Sequence, residues 1–250
     1  MHQKNLLHLF CALVFCFFLP ACANYKINYG KANRDWEANA AAIPVKHPVE
    51  HTVFLMGDAG GSPDGGLAPA LQLLQKKLAA ASENSSVIFL GDNIYPVGMP
   101  SKSKKQKRAQ AEHRLDAQLA TLKDFKGRPL FIPGNHDWQK YGLKGLKRQE
   151  KYVEKKLNAG IEDEEDWQNY FLPDDGCAGP ELIEVNDKLA IIVIDSQWWL
   201  NDWDKEPKLN DGCESKSRFV FSFLFEEMVR KNRNKNVIVA MHHPLFSGGT

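Results

Sequence analysis

Four short motifs stand in order along the chain: Gly57-Asp58-Ala59-Gly60, Gly91-Asp92-Asn93-Ile94-Tyr95, Gly134-Asn135-His136-Asp137 and Val239-Ala240-Met241-His242. Each closes an apolar, strand-like run, and together they supply oxygen and nitrogen ligands suited to two adjacent metal ions. A carboxylate can bridge cations about 3.5–4 Å apart, the arrangement that clamps the attacking and leaving oxygens of a phosphoester. The indicated chemistry is therefore hydrolysis at a two-metal site, which requires no protein nucleophile. No Walker-type glycine-rich loop is present. Gly-Asp-x-Gly alone is a common turn. Gly-Asn-His-Asp is much sharper, and the ordered set of four is sharper still.

Such ligands need a sheet edge to hold them. Thr52 to Met56, Val87 to Leu90, Pro129 to Ile132 and Val237 to Ala240 read as strands. Leu182 to Val185 and Leu189 to Ile194 read as a pair around a turn at Asn186-Asp187. Between them, Leu67, Leu71, Leu74 and Leu78 recur at helical spacing. Residues 103–123 are helical in character, with Leu115, Leu119 and Leu122 on one face, and 144–158 form a charged amphipathic helix. Phe219, Phe223 and Val229 sit in a further helix. Strands alternating with helices predict an α/β fold with a largely parallel sheet, and ligands gather at the carboxyl ends of such strands. The glycines before Asp58, Asp92 and Asn135 let the backbone turn there. Trp198-Trp199 follows a strand and either packs or floors a pocket. The basic run Lys102 to Arg108 and the acidic run Glu162 to Asp166 read as solvated faces.

Size and charge narrow the class. A chain of 250 residues accommodates one large domain. Lys and Arg number 32 against 31 Asp and Glu, so no charge excess points to nucleic acid. Leu6 to Leu19 is almost wholly apolar, long enough for a signal-peptide core and short for a spanning helix. It leads into Leu19-Pro20-Ala21-Cys22, which resembles a bacterial lipoprotein box. That resemblance implies cleavage before Cys22, lipidation of its thiol and a membrane-anchored lipoprotein of the bacterial envelope. Residues 1–21 are then the signal, 22–50 a tether, and 51–250 the folded domain. Cys177 and Cys213 remain, an even count in an oxidising compartment, consistent with a disulfide or with two buried thiols.

The motif set resembles the calcineurin-like metallophosphoesterases. Tyr95, three residues after Asp92, and the Val239-x-x-His242 spacing resemble the purple acid phosphatase branch in particular. The resemblance implies a β-sandwich flanked by helices (αββα). It implies that Asp58, Asp92 and Tyr95 hold a ferric ion, with Asp92 bridging to a divalent ion (Fe²⁺, Zn²⁺ or Mn²⁺) held by Asn135 and His242. Two carboxylates and a phenolate suit Fe³⁺, and amide plus imidazole suit the softer ion. Asn135, His136 and His243 would contact the phosphate of a phosphorylated small molecule or protein, with His136 serving the leaving oxygen. Asp137 would support ligands rather than bind metal. The implied reaction is in-line attack by metal-bound hydroxide on a phosphomonoester. The family pattern continues into a Gly-His-x-His motif and further strands beyond Thr250. The chain is therefore expected to be incomplete at that end, with two alternatives open: a truncated, non-catalytic metal- or phosphate-binding remnant, or the N-terminal part of a longer envelope protein.

Overall fold

The computed structural model describes residues 48–201 and 212–245. Cys22, the expected signal segment and nearly all of the tether lie outside the described residues.

Strands β1 (Thr52–Met56), β2 (Ser85–Phe89) and β3 (Arg128–Phe131) pair in that order, all parallel. Parallel neighbours need crossovers, and helices α1 (Pro69–Ala79) and α2 (Lys105–Leu119) lie in them. Pro69 starts α1, where its missing N–H costs nothing. Leu71, Leu74 and Leu78 form the buried stripe of α1; Leu67 precedes the helix. After β3 come a single turn, α3 (Asn135–Trp138), and the longer α4 (Gly142–Leu157).

A second sheet follows. β4 (Glu181–Glu184) runs antiparallel to β5 (Leu189–Val193). Asn186 closes the turn between them, its Oδ1 accepting from the Lys188 and Leu189 N–H groups. β5 then pairs parallel with β6 (Asn236–Ala240), by way of α5 (Ser196–Leu200) and α6 (Arg218–Lys231).

Residue pattern alone pointed to a largely parallel sheet; the strands divide into two sheets of three. Alternation explains the layers. Ile88 and Leu130 on one sheet meet Ile183, Ile191, Val193 and Ala240 on the other. The opposite face of the first sheet, with Val87, Phe89 and Phe131, packs under Leu74, Leu115, Leu146 and Val153 of the helices. Phe89 and Phe131 stack with centroids 4.3 Å apart. β2 is buried on both faces, as a central parallel strand must be.

Burial sorts several side chains. On α6, Phe219 and Phe223 are 82% and 61% exposed, and the inward residue is Phe221, which meets Trp198 and Trp199. Within the basic run, Arg108 is buried rather than solvated. Trp198 is buried and packs. Cys177 and Cys213 are bonded, S–S 2.07 Å, across a sequence separation of 36. Among the described residues no helix is long and apolar enough to cross a membrane.

Candidate metal centre

Because β1, β2, β3 and β6 all deliver their carboxyl ends to one edge, Asp58, Asp92, Asn135 and His242 converge there. The loops after β1 and β2 are stitched together by backbone hydrogen bonds. Asp58 N–H donates to the Gly91 carbonyl (3.2 Å), Gly60 N–H to the Asp92 carbonyl (2.9 Å), and Tyr95 N–H to the Gly60 carbonyl (3.1 Å). Asp58 and Asp92 both take left-handed backbone, φ 56° and 55°. That conformation costs of order 1 kcal/mol for a residue other than glycine and collects at functional sites. Gly91 has φ +92°, and a Cβ there would meet the Gly134 backbone and the His242 ring. Gly134 in turn leaves no room for a Cβ beside the Asp92 backbone and carboxylate.

The side chains form two groups of facing acceptors, and Asp92 belongs to both. In the first, the Tyr95 hydroxyl lies 2.6 Å from Asp58 Oδ1 and 2.8 Å from Asp92 Oδ2. A phenol has one proton, so it satisfies one carboxylate oxygen while its lone pair faces the other. Burial first, and then the hydrogen bonds to Asp58 and Asp92, hold that phenol well above its usual pKa.

In the second group, His242 Nδ1 donates to the Leu90 carbonyl at 2.8 Å. In the neutral ring this leaves a lone pair on Nε2, and that lone pair faces Asn135 Oδ1 at 3.1 Å and Asp92 Oδ1 at 3.5 Å. A carbonyl that fixes the far nitrogen of an imidazole is the usual way to orient a histidine ligand. Asp58, Asp92 and His242 each offer an atom within 4.8 Å of one another, a spacing that can hold a metal ion. Both sets of unreconciled lone pairs fit a cation.

Two further histidines flank the groups. His136 Nδ1 donates to the Pro96 carbonyl at 2.7 Å, and its Nε2 lies 3.9 Å from Asp92 Oδ2. The His136 N–H donates to Asp92 Oδ1 at 2.8 Å. For His243, Ser196 Oγ accepts from the backbone N–H at 3.0 Å and lies 2.9 Å from Nδ1, to which its proton can be given. With the Ser196 proton given to Nδ1, the free proton of a neutral His243 is on Nε2. Burial, followed by the neighbouring His242, lowers its pKa and keeps the ring neutral.

Asp137 supports the loops rather than facing the two groups. Fully buried, it accepts from the N–H groups of Asn93, Ile94 and Gly134. Burial lifts its carboxyl to about 6, against the pull of those donors. Gln118 of α2 reaches the Asn93 carbonyl at 2.8 Å from the other side. Sequence reasoning missed Asp195 and Ser196. Asp195 caps α5, accepts from Trp138 Nε1 at 2.7 Å, and is raised by burial to about 7. An Asp-Ser pair between a strand and a short helix is a capping signal that could have found them. The Leu90 and Pro96 carbonyls leave no such signal.

Residues 51–250 match the calcineurin-like phosphoesterase family. The chain belongs to the calcineurin-like phosphoesterases. Asp58, Asp92 and His242 form a candidate metal site in this member of the family. No curated protein matches the chain. Among solved structures it is similar to GAP50, the anchor in the inner membrane complex of Plasmodium, at 15% identity and a TM-score of 0.38; the match covers 79% of this chain and 56% of that one. A protein of unknown function from Aquifex aeolicus is similar at 14% identity and a TM-score of 0.33, covering 80% of this phosphoesterase and 83% of the other chain.

Proposed function

We propose that this phosphoesterase hydrolyses phosphomonoesters at a two-metal site of the purple acid phosphatase type. The observation that carries the reading is the division of Asp92, with Oδ2 in the group of Tyr95 and Asp58 and Oδ1 in the group of His242 and Asn135. Asp58, Asp92 and Tyr95 would hold a ferric ion; Asp92, Asn135 and His242 would hold Fe²⁺, Zn²⁺ or Mn²⁺. When bound, the pair supplies Lewis-acid charge neutralisation and a nucleophile at neutral pH.

The chain's own groups do the rest. Asn135, His136 and His243 orient the phosphate. His243 offers an Nε2 proton to a phosphoryl oxygen without carrying charge. When protonated, His136 has its Nδ1 proton committed to the Pro96 carbonyl, so the proton it gives the leaving oxygen comes from Nε2.

The same proposal puts the domain at the bacterial envelope, anchored through lipidated Cys22. The Cys177–Cys213 bond supports an oxidising compartment. Cys22→Ser should release the protein from the membrane fraction, and retention with an unmodified N-terminus would remove the anchor from the proposal.

Elemental analysis alongside hydrolysis of a monoester and a diester tests the activity. Two metals per chain with faster monoester turnover is expected. One metal or none, without turnover, would leave a binding remnant, and faster diester turnover would replace the substrate class.

A further inference from the structure

Half of the chain's 32 Lys and Arg residues lie between Lys102 and Lys156. The fold gathers six of them around one cavity of about 650 Å³ between α2 and α4. Lys102, Arg108, Arg148, Lys151, Lys155 and Lys156 line it, with Glu112 the one carboxylate among them. Tyr152 supplies an aromatic wall, with Arg108 and Lys156 over its ring. None of the residues of the metal centre borders this cavity.

The two arginines are held differently, Arg108 by a carboxylate and a carbonyl and Arg148 by a carbonyl alone. Arg108 donates to the Pro100 carbonyl at 3.0 Å and pairs with Glu112 at 2.7 Å. Arg148 donates twice to the Met99 carbonyl, at 3.0 and 2.8 Å. Among the described residues, Lys102, Arg148 and Lys155 enter no ion pair; Lys156 has Asp116 at 3.0 Å, and Lys151 only an exposed contact with Glu164 at 3.9 Å. Burial first, and then the charge of Arg108, lowers the pKa of Arg148. Six cations gathered with fewer carboxylates than positive charges, three of them outside any ion pair among the described residues, favour an anion. The volume is that of a small-molecule site, too large for one orthophosphate to bridge both arginines and the lysine rim.

We infer that this cavity is a second anion site, separate from the metal centre, which takes a small ligand bearing a run of linked phosphate groups. The guanidiniums of Arg108 and Arg148 grip the chain at the floor, and Lys102, Lys151 and Lys155 close over it. Two sources carry that chemistry, inorganic oligophosphate and a nucleoside polyphosphate, and the probes separate them.

The test is calorimetric titration of the full protein, stripped of metal by dialysis, with inorganic tripolyphosphate, ATP and orthophosphate at 150 mM salt. Tripolyphosphate should bind one to one, at least about tenfold tighter than orthophosphate. Equal affinity for ATP shows that the phosphate run alone is read; tighter ATP shows that the base adds to it. Lys155→Glu, on the exposed rim, and Arg148→Gln should each weaken tripolyphosphate about tenfold or more. Lys155→Glu keeps the test intact should loss of the Met99 contacts unfold Arg148→Gln. Asp92→Asn should leave this binding unchanged. Equal affinity for orthophosphate, loss of binding in Asp92→Asn, or an equal loss in a Lys104→Glu/Lys105→Glu control outside the cavity would overturn the proposal. The last result would mean that net charge is read, rather than the cavity.

Discussion

The metal centre and the basic cavity pose the same electrostatic problem with opposite signs. At one, Asp58 and Asp92 share a single phenolic proton, and a histidine lone pair faces two oxygens. At the other, six cations share one lining carboxylate. Neither cluster is balanced from within, and like charges brought together in a folded chain cost stability unless something of opposite sign joins them. A third cluster shows the alternative. Glu150 on α4 accepts from the Asp175 N–H at 3.2 Å, and burial, followed by the neighbouring Asp174 carboxyl, raises its own carboxyl to about 9. There a proton is enough. Two carboxyl groups can share a proton, whereas a hydroxyl shared by two carboxylates beside an oriented imidazole is better matched by metal, and gathered cations by a polyanion.

The largest break of this contrast is Asp92→Asn. It removes the one side chain common to both acceptor groups, so metal content and turnover should each fall by more than about a hundredfold. Elemental analysis and initial rates check this, and Lys155→Glu should leave both values near wild type. Retention of two metals by Asp92→Asn would show that the groups are independent.

Tyr95→Phe is milder. It removes an oxygen ligand from the Asp58 group alone, and affinity there should drop by about ten- to a hundredfold. If the ion is ferric, the visible absorption of the loaded protein should vanish with the phenol. A colourless iron-loaded wild type with full activity would remove iron–phenolate contact.

Asp137→Asn acts on the loops. An amide can turn only one acceptor toward the three N–H groups, so unfolding free energy should fall by about 2 kcal/mol in a urea titration. No change would mean that solvent replaces the carboxylate.

The smallest effect belongs to the proton-balanced cluster. With its pKa raised from 4.5 to about 9, Glu150 binds its proton more tightly in the folded chain than in the unfolded one. Its contribution to stability is complete below pH 4.5 and is lost as pH rises to about 9. The melting temperature of metal-free protein should decline by a few degrees from pH 5 to pH 9. Glu150→Gln should flatten that decline, and an unchanged slope would assign it to other groups.

Much of the metal centre was legible because its residues are local. Asp58, Asp92, Asn135 and His242 each stand two or three residues past an apolar run, and alternation in those runs marks the strands. The hydrogen bonds that orient them were not legible. The Leu90 and Pro96 carbonyls are backbone atoms that every residue has. The division into two sheets was also hidden, since Ile88 and Ile191 look alike until one faces the other. The basic cavity was obscured for a different reason. Lys102 to Arg108 reads as a solvated run, and Arg148 to Lys156 as one polar helix face; only the packing of α2 against α4 merges them. Phe219 and Phe223 do lie in a helix, as their pattern indicated, while the inward position of α6 belongs to Phe221.

His242 meets the Leu90 carbonyl across 152 residues of sequence, and this sets an order of events. As the chain folds, Asp58, Asp92 and Asn135 can gather with the first sheet, and long-range pairing is slower to form. For that interval the chain carries an acidic, incomplete site. It is completed only when β6 docks beside β5 and brings the imidazole across the seam between the sheets. Metal capture is thus a late event, and the rate at which a metal-loaded signal appears during refolding should follow the closing of that seam.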